Sequence, residues 1–245
     1  MTASGSAELA TNPAAAAVRT LRSGLAPVYD QDACADGLAA LASLLEGVSR
    51  EGGDALGGAA AAAVEAGATA ALGDLLYRPG LLAPMELAAL LALSSIAAHP
   101  DAATRAQFGA QFADLEIIDK LVEILEEHER FEALALAAAA LANLSADVPS
   151  ETAGAIVDAG GVEALVGILR RMPGVALSDA GARCGQWAAA ALCNLCRQGQ
   201  DAALAVARCD GVAAIHACLE HGGDDAGTMH QFLCGALCNL AVIDG

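Results

Sequence analysis

Apolar residues recur along this chain at the three- and four-residue spacing that is typical of amphipathic α-helices. Four clear stretches are ATAALGDLL, IIDKLVEIL, GVEALVGIL and GVAAIHACL, which end at Leu76, Leu125, Leu169 and Leu219. Long runs of alternating apolar and polar residues, which would indicate strands, are absent. Glycine and proline interrupt the helical pattern, as at Gly160-Gly161 and Met172-Pro173-Gly174. The pattern predicts an all-α chain.

A second apolar stretch repeats in step with the first. The fragment ALCNLC recurs as ALCNLA and ALANLS, with weaker copies ALSSIA and ALASLL, and its central residues are Ser43, Ser95, Asn143, Asn194 and Asn239, spaced 45 to 52 residues apart. Two landmarks in the same order indicate internal repeats. We predict a single domain, 1–245, with a partial repeat at about 9–46 and repeats at about 55–98, 100–146, 149–197 and 200–242.

Each repeat has the pattern of three helices. In the repeat at 149–197, Gly160-Gly161 separates a short first helix from a second helix at Val162 to about Arg171, and the third helix runs from about Asp179 to Arg197. Three helices of this size cannot bury their own apolar faces, whereas stacked neighbours can. The repeats therefore predict an α-solenoid.

The segment IVDAGGVEALVGIL, followed by AAAALCNL, resembles the armadillo-repeat family of protein-interaction repeats. The resemblance implies a right-handed solenoid superhelix whose third helices line a concave groove. It also implies a non-enzymatic scaffold or adaptor that holds an extended peptide or a helix of a partner. An importin-α-like receptor for basic peptide signals is one alternative. The chain departs from that pattern because Ala139, Ala190 and Gly235 stand where such receptors carry tryptophan, four residues before the asparagine.

The resemblance implies a peptide-binding role for Asn143, Asn194 and Asn239, which we call the asparagine row. An asparagine amide offers a donor and an acceptor, as a peptide unit does, so a row of them can hold a peptide by its backbone. The alternative is that each asparagine ties its own helix end to a neighbouring loop. Trp187 and Phe232 lie seven residues before Asn194 and Asn239, on the same helix face, and are candidate aromatic contacts for the partner or for the next repeat.

Composition narrows the classes of partner. Hydrophobic residues make up 56 % of the chain but aromatic residues only 3 %, so the apolar content is mostly alanine and leucine. The formal net charge of −18 disfavours nucleic acid and anionic membranes and favours basic peptides or basic protein surfaces. We expect no membrane span and no signal peptide, and we expect a cytoplasmic protein, with the nucleus as the alternative.

Other candidate chemistry is weaker. Cys193 and Cys196 form a Cys-x-x-Cys pair, but it lies near the end of a predicted helix and has no second pair to complete a zinc site, so we expect core packing and neither metal nor cofactor. The run EILEEHERFE, Glu123–Glu132, is either a solvated edge or a docking edge for a basic partner. Gly52-Gly53 and Gly57-Gly58 predict a flexible linker. No catalytic motif is present, so we expect no enzyme.

The first and last repeats look incomplete, with AVIDG beginning what would be a further unit. Solenoids require polar caps at their ends. We therefore expect that the chain is part of a longer protein or that it stacks end to end on further repeats or on another subunit. A structural subunit of a large assembly, using its edges or ends, is the second alternative function.

Overall fold

The computed structural model describes residues 12–26, 28–49, 53–146, 150–173, 178–221 and 227–243. These residues form fourteen α-helices and no strand, as the apolar spacing predicts. The helices are α1 (Pro13–Gly24), α2 (Gln31–Ser49), α3 (Gly53–Glu65), α4 (Ala68–Leu76), α5 (Ala83–Ala97), α6 (Ala102–Asp114), α7 (Ile117–Glu127), α8 (Phe131–Leu144), α9 (Ser150–Asp158), α10 (Gly161–Arg171), α11 (Asp179–Gln198), α12 (Gln200–Arg208), α13 (Gly211–His221) and α14 (Gly227–Ile243).

The helices group into two compact units, Met1–Leu115 and Glu116–Gly245. In the first unit, α1 packs along α2, and α2 also contacts α3 and α5. Its core is built from leucine and alanine, including Leu21, Leu38, Leu72 and Leu93, each with no exposed surface or almost none. Burying a leucine side chain stabilises a fold by about 1.5–3 kcal/mol, so these residues hold the unit together.

In the second unit, three third helices form one layer, with α11 between α8 and α14. The second helices α7, α10 and α13 pack behind them, and α10 contacts both of the other two. The shared core includes Leu125, Leu169, Leu192 and Leu195, all with 0 % exposed surface. The observed bounds of α10 and α11 differ by one residue at most from the predicted second and third helices of the repeat at 149–197.

A left-handed residue precedes the second helix of each of the four repeats that follow the partial one. These residues are Gly67, Glu116, Gly160 and Asp210, with φ angles of 85°, 54°, 82° and 56°. The left-handed conformation turns the chain sharply, and the helix pairs on either side of Gly67, Gly160 and Asp210 bend by 74°, 66° and 76°. The Gly-Gly break of the sequence is therefore a corner that recurs in these four repeats, in two of which an acidic residue takes the place of glycine.

The predicted linker at Gly52-Gly53 and Gly57-Gly58 is wrong for the residues that the structure describes, because Gly53, Gly57 and Gly58 lie within α3. Gly57 is buried, and a Cβ atom there would lie 3.1 Å from Nε2 of His99. Close packing against this histidine, which glycine permits, holds the segment in a helix despite the low helix propensity of glycine. Gly52 lies outside the described residues.

No described helix alone has both the length and the apolar composition needed to cross a membrane, although three bent pairs, α3 with α4, α9 with α10 and α12 with α13, meet those requirements when each pair is taken together.

Candidate functional site

The site predicted from the sequence lies on α8, α11 and α14. Two of these helices, α8 and α11, are rich in alanine, which favours the helix and has a small side chain. Ala188, Ala189 and Ala191 of α11 are completely buried. Small side chains at these contacts allow the third helices to lie close together. The asparagine row lies on the same three helices, and all three of its residues are partly exposed.

Each of the last two asparagines is bonded to the third helix before it. Nδ2 of Asn194 donates to the carbonyl oxygen of Ala142 at 3.0 Å, and Nδ2 of Asn239 donates to the carbonyl oxygen of Cys193 at 3.0 Å. In both cases the acceptor residue comes directly before the asparagine of the preceding repeat. At these two positions the asparagine therefore joins two neighbouring helices. It does not bond its own helix end to a loop, as the alternative interpretation predicts.

These bonds use only part of each amide. An asparagine side chain has two N–H donors and an oxygen with two lone pairs. The Oδ1 atoms of Asn194 and Asn239 accept no hydrogen bond from the described residues, and both side chains are partly exposed. Each amide can thus join two helices and still accept from an incoming backbone N–H. Whether these residues bind a peptide stays a prediction.

Trp187 and Phe232 are both half-buried. Each lies two helical turns before its asparagine. The residue one turn before the asparagine, on the same helix face, is small: Ala190 on α11 and Gly235 on α14. An aromatic ring that is partly exposed beside a polar amide combines apolar contact area with a hydrogen-bonding group, which is typical of residues that anchor a partner.

Gly235 marks the close approach of α14 to α11. A Cβ atom on Gly235 would lie 2.8 Å from Sγ of Cys193, well inside normal contact distance. A tryptophan four residues before Asn239, as in import receptors, therefore has no space in this arrangement of helices. The helix contact thus gives a physical reason for the departure from the importin-α pattern at this position.

The Cys-x-x-Cys pair has the environment of packing residues. Cys196 is buried, and burial raises the pKa of its thiol to about 12. Burial also raises the pKa of Cys193, although Arg197 acts in the opposite direction. A redox dithiol requires a lowered thiol pKa. Among the described residues, no three His, Cys, Asp or Glu side chains come together in a metal-binding arrangement.

The acidic run Glu123–Glu132 covers the end of α7, a short connection and the start of α8. The side chains of Glu126, Glu127 and Glu129 are exposed, and Lys120 pairs with Glu123. Arg171 donates to the carbonyl oxygens of Glu126 and His128, at 3.3 Å each.

Two consecutive arginines at the end of α10 connect neighbouring repeats. Arg171 contacts the preceding repeat, as described above, and Arg170 donates to the carbonyl oxygen of Cys209 in the following repeat. Sequence analysis gives the pair no role. Its position directly after the periodic apolar residues of a second helix is the signal that could have indicated contacts with both neighbours.

An open cleft of about 220 Å³ lies beside Asn239, between the ends of α11 and α14 and the start of α12. Its lining includes Arg197, Gln198, Gln200 and Val242. Gln198 donates through Nε2 to the carbonyl oxygen of Ser145, so it also ties α11 to the end of α8. Sequence analysis missed this cleft, because it depends on side chains from three helices.

No family model and no curated protein matches the sequence. Solved structures do match. The chain is similar to an engineered protein from the Northeast Structural Genomics Consortium, with a TM-score of 0.72 and 27 % identity over 97 % of this chain and 87 % of that one. It is also similar to the designed armadillo repeat protein YIII(Dq)4CqI, with a TM-score of 0.72 and 19 % identity over 92 % of this chain and 81 % of that one.

A second designed armadillo repeat protein, YIII(Dq.V1)4CPAF, was solved in complex with the peptide (KR)4. Its TM-score to this chain is 0.71, with 17 % identity over 92 % of this chain and 81 % of that one. The helical structure and these neighbours confirm the all-α class and the solenoid fold predicted from the repeats. The chain has an armadillo-like repeat fold.

Proposed function

We propose that this chain is a non-enzymatic scaffold that binds an extended segment of a partner protein along the asparagine row, with Trp187 and Phe232 as its apolar contacts. One observation carries the proposal. The Oδ1 atoms of Asn194 and Asn239 accept no hydrogen bond from the described residues and lie on a partly exposed face, in the same register on neighbouring helices, each with an aromatic residue two turns away.

The spacing of the helices suits an extended chain. Packed helices lie about 8–10 Å apart, and an extended chain advances about 3.3 Å per residue, so neighbouring asparagines would meet the peptide every two or three residues. Backbone recognition of this kind supplies affinity, while side-chain contacts such as those with Trp187 supply specificity. The three asparagines then define a bound segment of about five to seven residues.

The comparison with YIII(Dq.V1)4CPAF supports a peptide partner, since that protein forms a complex with (KR)4. The net charge of −18 supports a partner that carries basic residues. On this chain, the exposed glutamates of the run Glu123–Glu132 are the surface that would attract them. This acidic edge lies on α7 and on the first turn of α8, away from the asparagines near the helix ends.

A displayed library of random decapeptides, selected on the full chain, tests the proposal. Trp187 is the only tryptophan, so its fluorescence reports binding at the predicted surface. We expect enriched peptides to change this fluorescence and to lose affinity when Phe232 is replaced by alanine. The matched control is Leu204→Ala, because Leu204 is an exposed leucine on the first helix α12, off the asparagine face. Enriched peptides that leave the fluorescence unchanged, and that bind F232A normally, would exclude the proposal.

A second candidate function is the docking of another protein onto an exposed face of α14. Cys234 is exposed and Leu237 and Leu240 are partly exposed, whereas the equivalent Ala189, Leu192 and Leu195 of α11 are completely buried. We propose that this face takes a third helix of another armadillo-like repeat, because α11 uses the same face to contact α14. A concentration-dependent association that Leu237→Glu abolishes would support this second function.

A further inference from the structure

We propose that Cys193 and Cys238 form a site of reversible thiol oxidation, at which a small-molecule disulfide converts the two thiols into a disulfide bond between α11 and α14. The inference goes beyond the proposed function, because it concerns covalent chemistry of the chain itself and needs no bound partner protein. It combines one member of the Cys-x-x-Cys pair with a cysteine of the next repeat, a pairing that no local sequence pattern indicates.

The sulfur of Cys193 lies against a single turn of α14. Its Sγ atom accepts from Nδ2 of Asn239 at 3.9 Å, and a Cβ atom on Gly235 would lie 2.8 Å from it. Gly235 and Asn239 begin and end a turn that contains Cys238. Residues three apart on a helix are surface neighbours, with Cβ atoms about 5–6 Å apart, so Cys238 is next to the position on which the sulfur of Cys193 rests. The lack of a side chain at Gly235 permits this close approach.

The two thiols differ in exposure, which suits a reaction in two steps. Cys238 is exposed, so a small disulfide in solution can reach it, whereas Cys193 is partly buried and reacts best with a group that is already held beside it. Burial raises the pKa of Cys193, and the negative charge of a Cys238 thiolate raises it further, while Arg197 acts in the opposite direction. A nearby like charge disfavours ionisation, so this effect agrees with the placement of the two sulfurs side by side.

The exchange balances with glutathione disulfide as the oxidant. The thiolate of Cys238 attacks one sulfur of that molecule, its S–S bond breaks, and one glutathione leaves as a thiolate that takes up a proton. The thiolate of Cys193 then attacks the sulfur of Cys238 in this mixed disulfide, and the second glutathione leaves in the same way. Two cysteine thiols are oxidised, and one disulfide is reduced to two thiols. Because burial keeps most of Cys193 protonated at neutral pH, the second step should be faster in mild alkali.

The neighbouring cysteines are less suited to the bond. Cys196 is buried, and burial raises the pKa of its thiol to about 12. Cys234 is exposed on α14, but it lies outside the turn from Gly235 to Asn239. Cys234→Ser is therefore a matched control for Cys238→Ser, since each variant removes one exposed thiol from the same helix.

Incubation of the full, reduced chain with glutathione disulfide tests the site, followed by alkylation of the remaining thiols and tryptic mass spectrometry without reductant. Trypsin cleaves after Arg183, Arg197 and Arg208, so the two cysteines fall on separate peptides, 184–197 and 209–245. We expect these peptides to be joined within monomeric chains of the unaltered protein and of C234S, and the joined product to be absent from C238S. Cys238 is exposed, so serine there should leave the fold intact.

The oxidised chain should also unfold at a higher urea concentration than the reduced chain, because a cross-link between folded neighbours restricts the unfolded state. Joined peptides that persist in C238S, or that are lost equally in C234S, would overturn the inference. A mixed disulfide that never closes onto Cys193, or a bond found only between two chains, would overturn it as well. So would an oxidised chain that unfolds at the same or a lower urea concentration, since the folded helices would then not place the two sulfurs for this bond.

Discussion

Nδ2 of Asn239 donates a hydrogen bond to the carbonyl oxygen of Cys193, the residue directly before Asn194. Asn194 repeats the relationship with Ala142, directly before Asn143. Ala142 is in the last turn of α8, and its carbonyl oxygen accepts from Nδ2 of Asn194 and also from Oγ of Ser145, at 3.1 Å. Cys193 lies inside α11 and accepts through its second lone pair. Each of these two asparagines thus forms a structural bond, while its Oδ1 atom accepts no hydrogen bond from the residues that the structure describes.

Asn239→Ala should therefore lower both stability and binding. Loss of the bond to Cys193 should reduce the free energy of unfolding by about 0.5–1.5 kcal/mol, which urea titration followed by circular dichroism measures. Peptide affinity, measured per folded molecule well below the unfolding transition, should fall as well. If affinity is unchanged while stability falls, the row is structural only.

The repeat and the positions of its helices could be predicted because helix spacing and glycine breaks are local signals. The IVDAGG motif places the corner at Gly160-Gly161, and the structure has α9 and α10 on either side of it. Glu116 occupies the same left-handed position with no glycine beside it, whereas Asp210 is followed by Gly211. Aspartate is several-fold enriched in the left-handed region and glutamate is not, so residue preference could indicate the corner at Asp210 but not the one at Glu116.

The candidate site was predictable only in part. The register of Asn194 with Trp187 follows from helix geometry, and the structure places both on one partly exposed face. The bond from Asn194 to Ala142 spans 52 residues and depends on how closely α11 approaches α8. The cleft at Arg197 depends on three helices at once. Neither is encoded in a local pattern.

Alanine at Gly160 and at Gly154 should have opposite effects. A Cβ atom at either position meets no neighbour within 4 Å, so only the backbone conformation differs. Gly160 has a φ of 82°, and a side chain there should destabilise the protein by about 1–2 kcal/mol. Gly154 lies inside α9, where alanine should stabilise it by about 0.5–1 kcal/mol. Urea unfolding of both variants checks the signs; destabilisation of equal size would show that the left-handed corner is not the cause.

The stability of the protein should depend on pH in the acid range because of Asp101. Its carboxylate accepts from N and Oγ1 of Thr104, both at 2.7 Å, and these bonds lower its pKa. A lowered pKa in the folded state stabilises the protein above the unfolded value of about 3.9, and this contribution is lost as pH falls through the folded pKa. Asp101→Ala should therefore reduce the melting temperature at pH 7, with a smaller difference at pH 3. A difference that is independent of pH would exclude this origin.

The buried thiols should destabilise the protein in alkali. Burial raises the pKa of Cys184 and Cys196 to about 12 and that of Cys218 to about 11. A raised pKa gives stability that is complete below the unfolded value of about 8.5–9 and is lost as pH rises toward the folded value. At pH 10 each thiol should remove on the order of 1 kcal/mol; the other side chains that titrate near this pH are the five remaining cysteines, two tyrosines and one lysine.

Urea unfolding at pH 8 and pH 10 measures this loss. Cys184→Ala should lower stability at pH 8 by leaving a small cavity, and it should also reduce the difference between the two pH values. A variant with serine at Cys234 and Cys238, which are exposed on α14, should keep the full difference. If the serine variant loses the alkaline effect and C184A retains it, the buried thiols are not its source.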